Sequence, residues 1–507
     1  MKIEEIDYII VQAGGKGTRL EYLTVNKPKA LVPLDNLPMI FHLFVNFPDK
    51  HFIIIADYKS DVLEKYLFTF ANVKYILVKT GGKTGTCSGI KDAIENIPTE
   101  KAFMLIWSDL ILPKNFEMPK LINNYIGISK NFRCRWSYKA GVFKEAASET
   151  DGVAGLFIFK NKLILNDVPF EGEFVRWLAQ KNDINWEELS LYNTKEFGVL
   201  SEYIKYNSEK IENRCRPFNK LRVQEDIIIK EPLDKQGNLL ALREKAWYQF
   251  VKNYDYKPIP QIFSFDPFTM ERIKGKNVFE YSLTVDEKKN ILIEIVNGLK
   301  ELHQLEHAET DYFSIYETYY TKTMSRLNKV RNLIPLANQK YICINGKECR
   351  NIFFFSQILH DRINRYTCPF FSVIHGDNTF SNIMLIGEKH PIFIDPRGYF
   401  GFSEIMGDPA YDWAKLYYSL LGNYDKFNLK RFRLKIQENE ITLEIESNGW
   451  EELTELYFQL LETEVKREDI QLIHAIIWLS LTTYAWEDYD SICGAFYNGL
   501  YYLEDIL

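Results

Sequence analysis

Cysteine is sparse and unpatterned in this 507-residue chain: Cys87, Cys134, Cys215, Cys343, Cys349, Cys368 and Cys493 never fall in CxxC spacing. An odd, scattered set argues against a disulfide framework or a zinc site and reads as reduced thiols. A basic excess is missing too. Lys and Arg number 62 against 69 Asp and Glu, a formal net charge of -7, with both signs mixed along the length. No cationic field is available to grip a nucleic-acid backbone, so nucleic acid is not expected as a partner. No apolar run reaches the roughly 18 residues of a membrane span. The opening MKIEEIDYIIVQAGG is acidic ahead of a short apolar strand and lacks the basic and long apolar regions of a secretion signal. There is no internal repeat, which excludes a solenoid. These absences leave a soluble cytoplasmic protein as the expectation, and the length predicts two or three domains.

What is present changes character along the chain. As far as residue 200, β-rich runs (DYIIVQA, HFIIIAD, VKYILVK, AFMLIWSD) alternate with helical patterns (KSDVLEKYLFTFA, GTCSGIKDAIENI). That alternation predicts an α/β domain with a mixed, mostly parallel sheet and crossover helices over 1–208. The polar run EYIKYNSEKIENRCRPFNK (202–220) marks the boundary. Beyond it, 209–280 reads as a small lobe, with strands in EDIIIKEPL and FTMERIKG around a helix in LLALREKAWYQFVKN. Residues 281–507 read as a helical lobe broken by short strands at FSVIHGD and IMLI…PIFID, with a hairpin inserted at RFRLKIQENEITLEIES. The second domain is thus a two-lobed α+β unit.

In VQAGGKGTRLEYLTVNKPKALVPL (11–34) a strand runs directly into Gly14, Gly15 and Gly17. Backbone amides there can approach phosphate oxygens with no Cβ in the way. Arg19, Lys27 and Lys29 follow, with Pro28 fixing the backbone between the lysines. Three cations on one loop repel one another unless an anion neutralises them. The pattern is neither a Walker loop nor a dinucleotide fingerprint.

This run resembles the signature GGxGTRLxxLTxxxPKxLVP of the nucleotidyltransferase family that includes sugar-1-phosphate nucleotidylyltransferases and phosphocholine cytidylyltransferases. The resemblance covers the first domain and implies a Rossmann-like fold. It implies that Gly14, Gly15, Gly17, Thr18 and Arg19 wrap a triphosphate, that Lys29 supports the reacting phosphates, and that Gln12 and Ala13 lie near the base. TGGKTGTCSGIKDA is similar to the family's Gly-Thr helix start, which places Gly85 and Thr86 by the base or ribose. LIWSDLIL is similar to the strand end that carries a magnesium ligand, here Asp109, and KEFGVLSEY offers Glu196 as the second metal carboxylate. The family's E-K-P acceptor lysine is absent, leaving Lys139, Lys144 or Lys160 as substitutes.

Downstream, VIHGDNTFSNIML (373–385) sets Asp377 and Asn382 five residues apart, and PIFID ends in Asp395 thirteen residues further on. An acid, an amide and an acid at the next strand end are the minimum for phosphoryl transfer from Mg-ATP. The run resembles the HGDxxxxN…ID signature of the aminoglycoside phosphotransferase and choline kinase family, which has a protein-kinase-like fold. That resemblance implies Asp377 as catalytic base and Asn382 and Asp395 as magnesium ligands. It also implies Lys230 paired with Glu244 on the ATP phosphates, and a hinge from Met270 to Ile273 against adenine. No glycine-rich loop precedes Lys230. Asp408 and Asp412 in GDPAYDWAK are expected to brace the loop, and His375 to buttress the fold.

A kinase makes a phosphate monoester and a nucleotidylyltransferase consumes one. The sequence therefore predicts a bifunctional, magnesium-dependent enzyme that phosphorylates a small hydroxyl compound with ATP and couples the product to a second nucleoside triphosphate. The compact first domain favours CTP. The acceptor is expected among sugars, polyols and amino alcohols, and the product as an activated precursor for surface polysaccharide or lipid decoration. Arg397, next to Asp395, would repel choline, for which Tyr399, Phe400, Trp413, Tyr417 and Trp486 are the candidate cage. A choline kinase joined to a phosphocholine cytidylyltransferase, or a kinase with a regulatory first domain, are the alternatives.

Overall fold

The computed structural model describes residues 6–181, 184–209, 219–387 and 389–507. The chain divides into two compact units. The first comprises Met1–Glu212 with Glu487–Asp490, and the second Asn213–Trp486 with Ser491–Leu507.

The first unit is built on a nine-stranded sheet. Strand β1 (Tyr8–Gln12) runs parallel to β2 (His51–Ala56), which is parallel to β3 (Lys74–Lys79). On its other side β1 is parallel to β4 (Phe103–Trp107). Ile9, Ile10 and Val11 are fully buried, which is why β1 reads as a continuous apolar run: both faces of an inner parallel strand are covered. Two-residue strand β5 (Leu110–Ile111) follows β4, and β6 (Gly152–Phe159) closes antiparallel on β4. Ile10, Ile53, Leu105 and Phe157 share one apolar cluster on this sheet, each contributing roughly 1.5–3 kcal/mol by its burial. Strand β7 (Lys195–Glu196) pairs antiparallel with β5, with Glu196 opposite Leu110. The polar run expected to hold the boundary begins as helix α1 (Leu200–Glu209). Its Tyr203 is buried and donates its hydroxyl to the Pro33 carbonyl at 2.8 Å. The GTCSGIKDAIENI pattern yields only a short helix, Ile90–Ile94, because Gly89 takes the left-handed conformation (φ 76°) directly before it. Cys215 and the RCRPF segment lie outside the described residues.

The second unit opens with a four-stranded antiparallel sheet. Its inner strands are β8 (Ile227–Pro232) and β9 (Phe268–Glu271), flanked by Asn219–Val223 and Ile262–Phe265. Helix α2 (Lys235–Lys252) starts at Asp234, whose side chain accepts from Gly237 N. The remainder is mainly helical. Helix α3 (Val285–Gln304) carries a Thr284/Glu287 capping box, a device that stabilises by about 1 kcal/mol. Helix α4 (Lys322–Val330) follows. Strand β10 (Phe371–Val373) leads into the HGD loop, and β11 (Ile383–Ile386) pairs antiparallel with β12 (His390–Phe393). Helices α5 (Pro409–Leu420) and α6 (Arg467–Leu481) pack together. The expected hairpin forms as Phe432–Ile436 against Ile441–Ile445. A second hairpin, Tyr341–Ile344 against Lys347–Arg350, joins it in one sheet. Its turn is Asn345-Gly346, both at positive φ, an overlooked sequence signal for a two-residue turn.

Candidate active sites

In the first unit the glycine loop leaves the carboxyl end of β1, where ligands of parallel sheets bind. Gln12 donates through Nε2 to the carbonyls of Thr86 (2.8 Å) and Ser88 (3.2 Å), tying this loop to the Gly85 turn. Ala13 is buried, and its amide donates to Ile55 O at 3.0 Å. The glycines serve different ends. At Gly14 a Cβ would come 3.1 Å from the Asp57 Cβ; Gly17 has φ 67° and would press Lys29 at 3.0 Å. At Gly15 nothing lies within 4 Å of a Cβ, so packing does not require glycine there and the peptide is left open to a ligand. Thr18 and Arg19 are exposed just beyond it.

Lys27 does not join this cluster. It is buried, and its ammonium donates to Asp488 at 2.8 Å and pairs with Asp490. Burial alone would lower its pKa, but the two carboxylates outweigh it and hold the ammonium charged. The cations on the loop are therefore Arg19 and Lys29. Lys29 forms an ion pair with Asp109, which is largely buried beyond the end of β4. Through the β5–β7 pairing Glu196 comes beside Asp109. Burial, then the negative charge of Asp109, pushes the Glu196 carboxyl up to about 7, against the opposing pull of Lys29 and Arg19. A Cβ on Gly198 would lie 2.3 Å from Glu196 Oε1 and 3.0 Å from Arg19 Nη2. Arg19 and Lys29 from the glycine loop, Asp109 and Glu196 thus converge from three separate stretches of sequence. Two neighbouring carboxylates that repel each other suit a divalent cation.

Gly85 has φ 92°, and a Cβ on it would strike the Gly172 carbonyl at 2.3 Å. Gly172 clasps this turn, accepting from Cys87 N (2.9 Å) and donating to Thr84 O (3.1 Å). Thr86 Oγ1 accepts from Phe174 N at 2.8 Å. Gly172 and Gly198 were not singled out in the sequence, for neither sits in a recognisable run. Lys139, Lys144 and Lys160 are all exposed, Lys139 lying 3.6 Å from Asp151.

In the second unit Lys230 on β8 donates to Glu244 on α2 at 2.6 Å and also pairs with Asp395. Burial disfavours its charge, but Asp395 and Glu244 overcome that and raise its pKa. Met270 on β9 and Ile273 after it are both buried, so main-chain groups, not these side chains, are what the segment could offer a base. Asn382 Nδ2 donates to Asp377 twice, to the carbonyl at 2.7 Å and to Oδ2 at 3.1 Å. Lys415 on α5, which the sequence reading missed, forms an ion pair with Asp377 at 2.9 Å. Asp395 adopts the left-handed conformation, φ 57°, a strain that non-glycine residues tolerate mainly where surroundings enforce it.

The loop holding Asp377 is braced from below. Asp412 accepts from His375 N and Gly376 N, each at 2.7 Å, and contacts His303 Nε2 at 3.1 Å. His375 is buried, bonded to Ile394 O at 3.0 Å, and burial lowers its pKa, so it stays neutral. Asp408 caps α5 and accepts from Tyr319 and Tyr366. The suggested choline cage does not assemble. Phe400, Trp413 and Tyr417 are buried in packing contacts, and Tyr399 has the guanidinium carbons of Arg243 and Arg397 at 4.0 and 4.5 Å from its ring centroid.

Among the described residues no three acids or imidazoles gather into a complete cation shell. Asp109 and Glu196 in the first unit, and Asn382 and Asp395 in the second, are the oxygen donors that would hold magnesium arriving with a nucleotide, whose phosphates and water would supply the rest. No described helix is long and apolar enough to cross a membrane.

Residues 8–130 match the family model described as nucleotidyl transferase. The bifunctional protein GlmU of Methanocaldococcus jannaschii is 27% identical over 110 residues, 21% of this chain and 26% of that protein. The glucose-1-phosphate cytidylyltransferase of Salmonella typhimurium is 26% identical over 126 residues, 20% of this chain and 49% of that protein. Among solved structures, HddC from Yersinia pseudotuberculosis aligns at 22% identity with a TM-score of 0.35, over 39% of this chain and 97% of that one. The chain spans about a quarter to a half of the length of these curated relatives. Its first unit contains a nucleotidyltransferase-type domain, Rossmann-like with a mixed, mostly parallel sheet.

Proposed function

We propose that the chain joins two successive transferases. The second unit phosphorylates a small hydroxyl compound with ATP. The first couples that phosphate to a nucleoside triphosphate, CTP by preference, releasing pyrophosphate and giving an NDP-linked precursor for surface polysaccharide or lipid decoration. The supporting observation is that each unit gathers its own cluster of charged and polar side chains of the kind phosphoryl chemistry needs: Arg19, Lys29, Asp109 and Glu196 in one, Lys230, Glu244, Asp377, Asn382 and Asp395 in the other.

In the first reaction of the sequence Asp377 takes the acceptor's hydroxyl proton while Lys230, positioned by Glu244, holds the ATP phosphates. Asn382 fixes the Asp377 carboxylate through its Nδ2 bond. In the second, an oxygen of the phosphate monoester attacks the α-phosphorus of the triphosphate. Arg19 and Lys29 stabilise charge on the phosphate oxygens, and Gly14 to Gly17 supply open backbone. Magnesium, when bound, neutralises phosphate charge in both reactions. Guanidinium groups over Tyr399 count against choline as the acceptor.

Separated half-reactions test this reading. Asp377→Ala is expected to lower ATP-dependent phosphorylation by about 10²–10⁴-fold and to leave pyrophosphate release from CTP and a supplied phosphate monoester intact. Asp109→Ala is expected to do the reverse. Loss of both activities in either variant, or of neither, contradicts the assignment.

A further inference from the structure

Beside Asp377 lies a group of cations without matching acids. Arg397 N donates to His375 O at 2.8 Å, and its side chain abuts Gly376, where an added Cβ would come 2.9 Å from the Arg397 Cβ. Its guanidinium has hydroxyl partners only, donating to Tyr411 at 2.8 Å and Tyr399 at 2.9 Å. Tyr411 in turn packs against Tyr319 with ring centroids 6.2 Å apart, and Tyr319 stands one turn before α4. That contact brings α4 towards Arg397. On α4, Lys322 and Arg326 share a face at four-residue spacing. Arg326 donates to Ser480 O and Oγ and pairs with no carboxylate among the described residues. Lys322, half-buried, has neither hydrogen bond nor ion pair among them.

Burial, then Arg397 and Arg326, drives the Lys322 pKa well down, with Lys415 adding to the effect and Glu317 opposing it. Arg326 is lowered by burial and then by Arg397. The opposing acids are thus Glu317 beside α4 and Asp377, already paired with Lys415. Tyr411, Tyr399 and Asp377 keep Arg397 charged despite its burial, so the cost of like charges falls on Lys322 and Arg326, and an arriving anion relieves it.

We propose that the alcohol phosphorylated in the second unit carries an anionic group, a carboxylate or a phosphate, held by Lys322, Arg326 and Arg397 while its hydroxyl faces Asp377. This rests on the phosphotransfer reading above. In the reaction the hydroxyl oxygen bonds to the γ-phosphorus, and the bond from that phosphorus to the β,γ-bridging oxygen breaks. ADP leaves with the electron pair, and the hydroxyl proton passes to the Asp377 carboxylate.

Calorimetric titration of the full chain with glycerate, glycerol 3-phosphate, glycerol and choline tests the proposal. At least one of the two anions is expected to bind tenfold or more tightly than glycerol, and the stronger one names the anion. Lys322→Met is expected to lose that preference at least tenfold. The same variant should raise the melting temperature of the free protein by about 2–4 °C, because it removes a cation that lacks a partner. Equal binding of glycerol and the anions, tighter binding of choline, or an unchanged Lys322→Met variant overturns the proposal. ADP release on the same panel reports separately on phosphotransfer. Anion binding without turnover leaves the anion site standing and sinks the kinase reading. Turnover of glycerol alone keeps the kinase reading and sinks the anionic acceptor.

Discussion

The carboxylate of Asp412 accepts the main-chain amide of His375 at 2.7 Å, and its other oxygen takes the amide of Gly376 at the same distance. One buried side chain thereby sets the backbone on which Asp377 is carried. Asp412→Asn keeps the shape but has one acceptor oxygen for two amides. Leaving one buried N–H without its partner costs about 1–3 kcal/mol. The variant is expected to melt earlier and to lose ATP-dependent phosphorylation, while pyrophosphate release from the first unit persists. Unchanged phosphorylation would show that the loop does not need this brace.

Lys29 and Asp109 make the corresponding test in the first unit. Lys29→Ala removes a positive charge where phosphate charge is to be stabilised, a loss expected to cost about 10²–10³-fold in the nucleotidyl-transfer rate. ATP consumption by the second unit should not change. Pyrophosphate release measured with a supplied phosphate monoester checks the first expectation, and ADP release checks the second.

Two glycines should respond in opposite ways to alanine. Gly85→Ala puts a Cβ against the Gly172 carbonyl at positive φ, a strain of at least about 1–3 kcal/mol, and should lower the melting temperature of the first unit. Gly15→Ala meets nothing within 4 Å. It should fold as the parent does and weaken only triphosphate binding. A stability loss at Gly15, or none at Gly85, would contradict the roles given to the two positions.

The contrast also shows what could be read from sequence. The glycine loop after the first strand and the HGD loop were legible because each lies in one contiguous stretch, with an apolar run ending in glycine or acid. Lys27 and Lys29 look equivalent on the page, yet Lys27 is withdrawn by Asp488 and Asp490, more than 450 positions away in the chain. Gly172, Gly198 and Lys415 likewise gain meaning only when folding brings them to Gly85, Glu196 and Asp377. Helix α1 was not singled out in the sequence because its polar residues outnumber the few, such as Tyr203, that anchor it.

His474 on α6 gives a prediction in pH. Burial pushes its pKa from an ordinary 6.5 down to about 3, and it accepts the Trp478 indole N–H at 3.0 Å. In the interval between those values the unfolded chain binds a proton that the folded chain does not. The stabilisation is therefore complete above pH 6.5 and declines as pH falls towards 3, with about 2 kcal/mol lost by pH 5. His474→Gln should flatten the fall in melting temperature between pH 7 and 5. Parallel pH profiles for parent and variant would contradict it.

The most direct test of the two-step account is mass spectrometry of reactions containing ATP, CTP and magnesium with a panel of hydroxy acids, phosphorylated polyols, sugars, amino alcohols and choline. The account predicts a CDP-linked product that forms only when both triphosphates are present. A phosphorylated compound that never acquires a nucleotide, with CTP, UTP or GTP alike, would contradict it.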